Sequence, residues 1–251
     1  MKPAVLTYVT KPLSVKLDEI PVELPEPFQD KVENFWSEIN KDNRFTRGEV
    51  FHVNTVEESQ DFLNVILKRS DYAYYLYSVR NKQIEMERCR VIYSAGLVET
   101  ADSFFVFGEM GKNTAYPGRL QCVGGGLSEH DLQDSVFNLE KSLLRELHEE
   151  LGIIDNNDVK ECTVKYMKTG GDFDFITVLY HIQLNLTLEQ LDEQYKVFCK
   201  ALMAKGESPE FQRIVWLKNN NKSIDEFIRN EKRDSVDYLF PFLKEMNKTL
   251  Q

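Results

Sequence analysis

The chain has 251 residues, 42% hydrophobic and 29% charged, with a formal net charge of −10 and a pI near 5.1. Such acidity argues against a non-specific nucleic-acid binder and against a protein held on an anionic membrane surface. The N-terminal stretch MKPAVLTYVTKPLSVKL has no long apolar core of a signal peptide, and no run approaches transmembrane length.

The length allows one large domain or two small ones. Cys89, Cys122, Cys162 and Cys199 are well separated, and no CxxC or Cys/His cluster exists. Free, mostly buried thiols in a reducing cytoplasm are expected. The four histidines, His52, His130, His148 and His181, are scattered.

Taken in order, residues 4–9 and 13–17 alternate like short strands around Lys11-Pro12, and Pro21, Pro25 and Pro27 punctuate a loop. Phe28, Val32, Phe35, Trp36 and Ile39 have helical spacing, with Pro27 suited to the first turn. Gly48 precedes a strand over 49–53. Thr55 and Glu58 have the spacing of a capping box. Phe62, Leu63, Ile66 and Leu67 share one helical face, which predicts a helix ending near Arg69, with a short buried strand as the alternative. Tyr72, Tyr74, Tyr75 and Tyr77 then cluster. Such residues pack a domain interface more often than they stack a nucleobase or sugar. Residues 1–88 read as a small α+β unit without a motif of its own.

From Arg90 the pattern changes. A strand over 90–100, a turn at Ala101-Asp102-Ser103 and a partner strand over 104–108 form a hairpin. Residues 111–118 are a loop, and Arg119 to Val123 lead into Gly124-Gly125-Gly126.

The stretch from Gly124 to Ile153 carries the chemistry. At roughly 100° per residue, Glu150 lies about 40° and Glu149 about −60° from Glu146 on a helix. The three carboxylates fan over one face. Val136, Leu143, Leu144, Leu147 and Leu151 form the neighbouring apolar stripe. Gly152 suits the helix stop. Carboxylates on successive turns repel one another, and Arg145, four residues before Glu149, offsets part of this. A hard cation such as Mg²⁺ or Mn²⁺ changes the balance, because it takes oxygen ligands from carboxylates and phosphates together.

Arg145-Glu146-Leu147-His148-Glu149-Glu150-Leu151-Gly152-Ile153 resembles the second half of the Nudix box, G-x5-E-x7-R-E-U-x-E-E-x-G-U with U aliphatic, and matches it fully. The first half departs. Counting back from Arg145, the expected Glu falls on Phe137 and the expected first Gly on Asp131. The glycines stand earlier, so the lead-in loop is longer. Glu129, Asp134 or Glu140 are candidates to replace the missing Glu, and Asp134, eleven residues before Arg145, is close to three helical turns away.

Beyond the box, residues 160–168 and 173–184 are strand-like, joined by Thr169-Gly170-Gly171-Asp172. A helix over 186–205 follows, then a closing strand over 211–217. Ser223 caps a helix to about Arg233, and a last helix spans about 236–248.

The resemblance covers about residues 90–233. It implies an α/β chain: a Nudix α/β/α sandwich with a mixed sheet over 89–251, preceded by the small α+β N-terminal domain. The implied activity is Mg²⁺- or Mn²⁺-dependent hydrolysis of a nucleoside diphosphate linked to another group, such as a UDP-sugar or ADP-ribose. Glu146, Glu149 and Glu150 would be metal ligands, with Glu146 as ligand or base and a carbonyl of Gly125 or Gly126 beside them. Arg145 would orient a glutamate. Glu207 and Glu210 are loop candidates for the base, with Asp172 and Asp174 less favoured. Arg90, Lys112 and Arg119 are candidate phosphate partners. The expected partner is a small nucleotide derivative, not nucleic acid or membrane. Homodimers are common among such proteins. A non-catalytic nucleotide-binding module of the same fold is the competing reading.

Overall fold

The computed structural model describes residues 3–43, 45–81 and 88–248. The N-terminal half contributes β1 (Val5–Tyr8), β2 (Leu13–Asp18), α1 (Glu26–Ile39), β3 (Glu49–Glu58), β4 (Leu63–Asp71) and α2 (Tyr72–Arg80). Next come β5 (Ile92–Glu99), β6 (Phe104–Met110), β7 (Leu120–Gln121), β8 (Val123–Gly126), β9 (Leu132–Gln133), β10 (Val136–Phe137) and α3 (Leu139–Leu151). The chain closes with β11 (Val159–Thr169), β12 (Ile176–Leu184), α4 (Leu188–Ala204), β13 (Phe211–Lys218), α5 (Asn221–Asn230) and α6 (Leu239–Lys248).

These elements build two mixed sheets, the α/β class expected. The larger runs β1-β11-β12-β5-β6-β13, with β7 on β6 and β8 on β5. Within it β5 runs parallel to β12, Ile92 to Glu99 against Ile176 to Gln183. The smaller runs β3-β4-β2-β10-β9, with β2 and β4 parallel.

Strand alternation sorts the core into two layers. Val106 faces one way, with Ile176, Val178, Ile182 and the α3 leucines Leu143, Leu147 and Leu151. Phe105 and Phe107 face the other, with Leu179, Leu217 and the α6 residues Leu239, Phe242 and Leu243. The large sheet is therefore sandwiched, with α3 and α4 on one side and α5 and α6 on the other. The first layer also takes in Val15, Leu17, Phe51, Val65 and Leu67 from the small sheet.

The two halves exchange strands. β1 pairs with β11 in the large sheet, Val5 opposite Thr169. β10, from the lengthened box loop, pairs with β2, Phe137 opposite Val15. The boundary expected at residue 88 follows residues 82–87, which lie outside the described residues, as do residues 1–2 of the N-terminal stretch.

Several local expectations are corrected. The helix over 62–69 is strand β4. Leu63, Val65 and Leu67 alternate into the core, and Phe62 is 43% exposed. The presumed capping box at Thr55 and Glu58 is part of β3. Val136 is not on the helix stripe but sits exposed in β10. The α5 cap is Asn220, whose side chain accepts from the Ser223 N–H, so Ser223 lies inside the helix.

Candidate functional site

The site is assembled where α3 packs on β8. Asn138 caps α3 by accepting the Lys141 N–H, and Gly152 ends it in the left-handed region at φ 72°. Between these caps the acidic face points at the glycine strand. Glu146 and Glu150 are buried, at 8% and 1% exposure, whereas the Glu149 side chain is exposed. The Gly124 N–H donates to Glu150 Oε2 at 2.8 Å. Gly125 lies so close to Glu146 that an added Cβ would stand 2.5 Å from its Oε1.

Arg145 binds the cluster together. Its Nη1 is 2.8 Å from Glu146 Oε1 and 3.1 Å from Glu149 Oε2. Its Nη2 reaches Asp131 Oδ2 and the Gly126 carbonyl, both at 3.3 Å. Asp131, 1% exposed, is thus the carboxylate that braces Arg145, at the position where the box pattern has glycine. None of the three expected replacements does this. Glu129 pairs with Arg69, Asp134 sits in the β9–β10 turn at φ 49°, and Glu140 is exposed in the first turn of α3. The missing signal was the Ser128–Asp131 capping box, in which Asp131 Oδ2 also accepts the Ser128 N–H at 2.9 Å.

Burial and mutual repulsion leave these acids reluctant to ionise. Burial lifts Glu146 to about 7, with Arg145 opposing and Glu149 and Glu210 adding to the rise. Glu150 is raised further, by burial and then by Glu210, against the Gly124 N–H bond. Glu210 is raised by burial of its carboxyl and by Glu149, although the residue as a whole is exposed. Glu150 Oε1 is buried with no hydrogen-bond partner. Among the described residues, no three His, Cys, Asp or Glu side chains already converge on one ligation point. The donors nevertheless suit a hard divalent cation: all are oxygens, one is orphaned, and a bound cation would favour the ionised forms that burial disfavours.

Beside the glycine strand lies a cavity of about 340 Å³. Gly124, Gly125 and Gly126 form one wall, and the carboxylates stand behind them rather than in the lining. Tyr72 and Tyr75 of the tyrosine cluster reach it from α2. Tyr74 instead packs against Phe28 in the core between α1 and α2. Tyr75 stacks on Phe175, with ring centroids 5.8 Å apart and planes at 25°. Lys168, 1% exposed, forms the polar floor with Asp237, Nζ to Oδ2 at 2.7 Å.

Of the expected phosphate partners, Arg119 lines this cavity, with its guanidinium 3.8 Å from the Tyr116 ring centroid and donating to Gln121 Oε1. Arg90 is turned to Asp174, donating to its carbonyl at 2.6 Å. Lys112 is exposed on its loop and Glu207 is exposed before β13. Asp172 lines the cavity, and Asp174 fixes the hairpin by accepting the Gly170 N–H. The cavity's tyrosines, Lys168 and Asp237 come from five separate segments, so no local spacing announced them.

No family model matches the sequence, and no curated protein matches it. Among solved structures, the chain is similar to a MutT protein from Methanosarcina mazei, with 13% identity and TM-score 0.41 over 64% of this chain and 96% of that one. A Nudix hydrolase from Nitrosomonas europaea shows 14% identity and TM-score 0.38 over 64% and 89%. The Nudix domain of Shewanella oneidensis NrtR, solved with ADP ribose, shows 10% identity and TM-score 0.38 over 72% and 99%. No described helix is long and apolar enough to cross a membrane.

Proposed function

We propose that the chain is a metal-dependent hydrolase of phosphoric anhydride bonds, acting on a nucleoside diphosphate linked to a second group. One observation carries this reading. Two carboxylates of the box motif, Glu146 and Glu150, are buried against a glycine strand, with Glu150 Oε1 left unpartnered. Burying an unpartnered carboxyl oxygen is costly, and a divalent cation there would both give it a partner and favour its ionised form.

Glu146, Glu149 and Glu150 would hold Mg²⁺ or Mn²⁺, with a glycine carbonyl of β8 beside them. The ion, when bound, neutralises the diphosphate and acidifies water. The chain's own residues do the rest. The Gly124 N–H fixes Glu150. Arg145, held by Asp131, occupies Glu146 Oε1 and leaves Oε2 either as a ligand or, in place of that, as the acceptor of the attacking water's proton. Water oxygen bonds to phosphorus as the bridging P–O bond breaks. Arg119, whose Nε is buried without a partner, is placed to receive phosphate charge from the cavity.

The test is hydrolysis of UDP-sugars, ADP-ribose, NADH, dinucleoside polyphosphates and nucleoside triphosphates in Mg²⁺ and Mn²⁺, beside the Glu149→Gln/Glu150→Gln variant. Turnover by wild type alone supports the reading, and equal turnover by the variant overturns it. A non-catalytic nucleotide-binding module is the second reading, favoured by the lack of a converged ligand shell among the described residues. Silence across the panel, with nucleotide-dependent rises in melting temperature, would select it.

A further inference from the structure

We propose that Arg69, in the N-terminal region, is a positioning residue for the carboxylate cluster: it holds the turn that carries Asp131 and, through it, Arg145 and Glu146. This rests on the hydrolase reading for what the cluster binds.

The first ground is a continuous run of contacts. The 3₁₀ turn Glu129–Asp131 is gripped at both ends. At one end Asp131 Oδ2 meets Arg145 Nη2 at 3.3 Å, and Arg145 Nη1 reaches Glu146 Oε1 at 2.8 Å. At the other, Glu129 Oε1 accepts from Arg69 Nη1 at 2.6 Å. The two ion pairs stand two residues apart in one tight turn, so displacing Glu129 displaces Asp131 with it.

The second ground is that Arg69 is itself held. It lies on β4, one residue past the last pair with β2, Asp18 opposite Lys68, and its carbonyl accepts the Val22 N–H at 2.9 Å. Its guanidinium lies 5.9 Å from the centroid of the Phe51 ring and also pairs with Glu49 of β3. Phe51 in turn packs edge-on against Phe137 of β10, with centroids 4.7 Å apart. A planar fork that meets Glu49 and Glu129 together loses little freedom in doing so.

The third ground is the layout of the lengthened box loop. Its far end is tied to the N-terminal sheet by backbone: Phe137 stands opposite Val15, and the Leu17 N–H donates to the Ser135 carbonyl at 2.9 Å. Its near end has no such tie. β9, which follows the turn directly, is two residues long, lies at the edge of the small sheet and pairs with β10. Arg69 supplies the N-terminal contact there. The Glu129 side chain is 61% exposed, so the pair adds little to stability. Its consequence is where Asp131 stands.

The experiment reads Arg145 directly. Its Nε is buried with no hydrogen-bond partner, so the proton there is shielded from water while the guanidinium stays in place. Exchange of that proton is followed by NMR in EDTA, the signal being assigned by its loss in Arg145→Lys. Mn²⁺ affinity is measured separately from the free-ion EPR signal. Wild type, Arg69→Gln, Glu129→Ala, the double variant and Glu19→Ala are compared, each with its melt. Arg69→Gln and Glu129→Ala should each speed the exchange and weaken Mn²⁺ binding by about threefold, the scale of one partly exposed ion pair. The double variant should be no worse than either single one, because both remove the same contact. Glu19→Ala removes another carboxylate near Arg69, at 3.5 Å, without touching the turn, and should behave as wild type. If Arg69→Gln folds poorly, Glu129→Ala breaks the contact from its exposed side. Exchange at the wild-type rate in Glu129→Ala, or losses that add in the double variant, would overturn the proposal. Absence of Mn²⁺ binding by wild type would count against the hydrolase instead, with the exchange in EDTA still deciding the role of Arg69.

Discussion

Asp131 shows how one residue sets the whole site. Its Oδ2 takes the Ser128 N–H, the Ser128 hydroxyl and Arg145 Nη2 at once, while exposure is 1%. Arg145 in turn holds Glu146 and Glu149. Replacing the carboxylate by an amide keeps the shape and can keep an oxygen at the Oδ2 position, but it removes the charge opposite Arg145 and leaves a buried NH2 at the unpartnered Oδ1 position. A buried hydrogen bond to a charged group is worth about 1.5–3 kcal/mol, so Asp131→Asn should lower unfolding free energy by about that much in urea titrations. The hydrolysis rate should fall by more than the stability loss explains, because Arg145 would no longer be fixed from behind. If activity per folded molecule stays at the wild-type level, Asp131 is a loop staple and not a positioning residue. The identity of this residue was not legible in the sequence. The box pattern puts glycine there, and the Glu sought nearer to the helix does not exist.

At the scale of elements, the contact of β8 on α3 governs the site. Gly125 has no Cβ, and one placed there would meet the Glu146 carboxylate at 2.5–2.7 Å. The obstructed atoms are the end of a flexible side chain, so the glutamate can swing away without unpacking the helix. Gly125→Ala should therefore leave the melting temperature within a few degrees while lowering kcat by about 100-fold, the scale of a misplaced catalytic group. A large loss of stability with unchanged kcat per folded molecule would contradict that picture. The helix itself was readable, since Leu143, Leu147 and Leu151 repeat at helical spacing and Gly152 marks the end. β4 was not, because Leu63, Ile66 and Leu67 satisfy a helical face while Leu63, Val65 and Leu67 satisfy an alternating strand. Pairing decided it: Leu63 to Lys68 run parallel to Leu13 to Asp18, a partner fifty residues earlier that no local window contains. The β9–β10 excursion hid itself similarly. β10 pairs with β9 and with the distant β2, and the turn between β9 and β10 uses positive φ at Asp134 and Ser135, which sequence spacing does not show.

At the scale of the molecule, the two sheets meet at His52. Its Nδ1 accepts the Arg90 N–H at 3.2 Å, and the adjacent Val53 N–H donates to the Arg90 carbonyl at 2.7 Å. Burial, then the charges of Arg90 and Lys68, hold the imidazole down at about 4, against an ordinary value of 6.5. The folded state therefore keeps His52 neutral while the unfolded chain protonates it below pH 6.5. Protons bound only by the unfolded chain mean stability falls with acidification, here between pH 6.5 and about 4. The ring is partly exposed, which screens the effect, so the expected loss from pH 7 to pH 5 is on the order of 1 kcal/mol. His52→Asn offers an oxygen to the same Arg90 N–H and does not titrate. Urea unfolding at pH 7, 6 and 5 should show wild type losing about that much more than the variant, since every carboxylate titrates equally in both. Parallel pH profiles would mean that the imidazole charges freely in the folded protein. The join between the sheets would then rest on the strand exchanges of β1 and β10, and not on a neutral histidine at their seam.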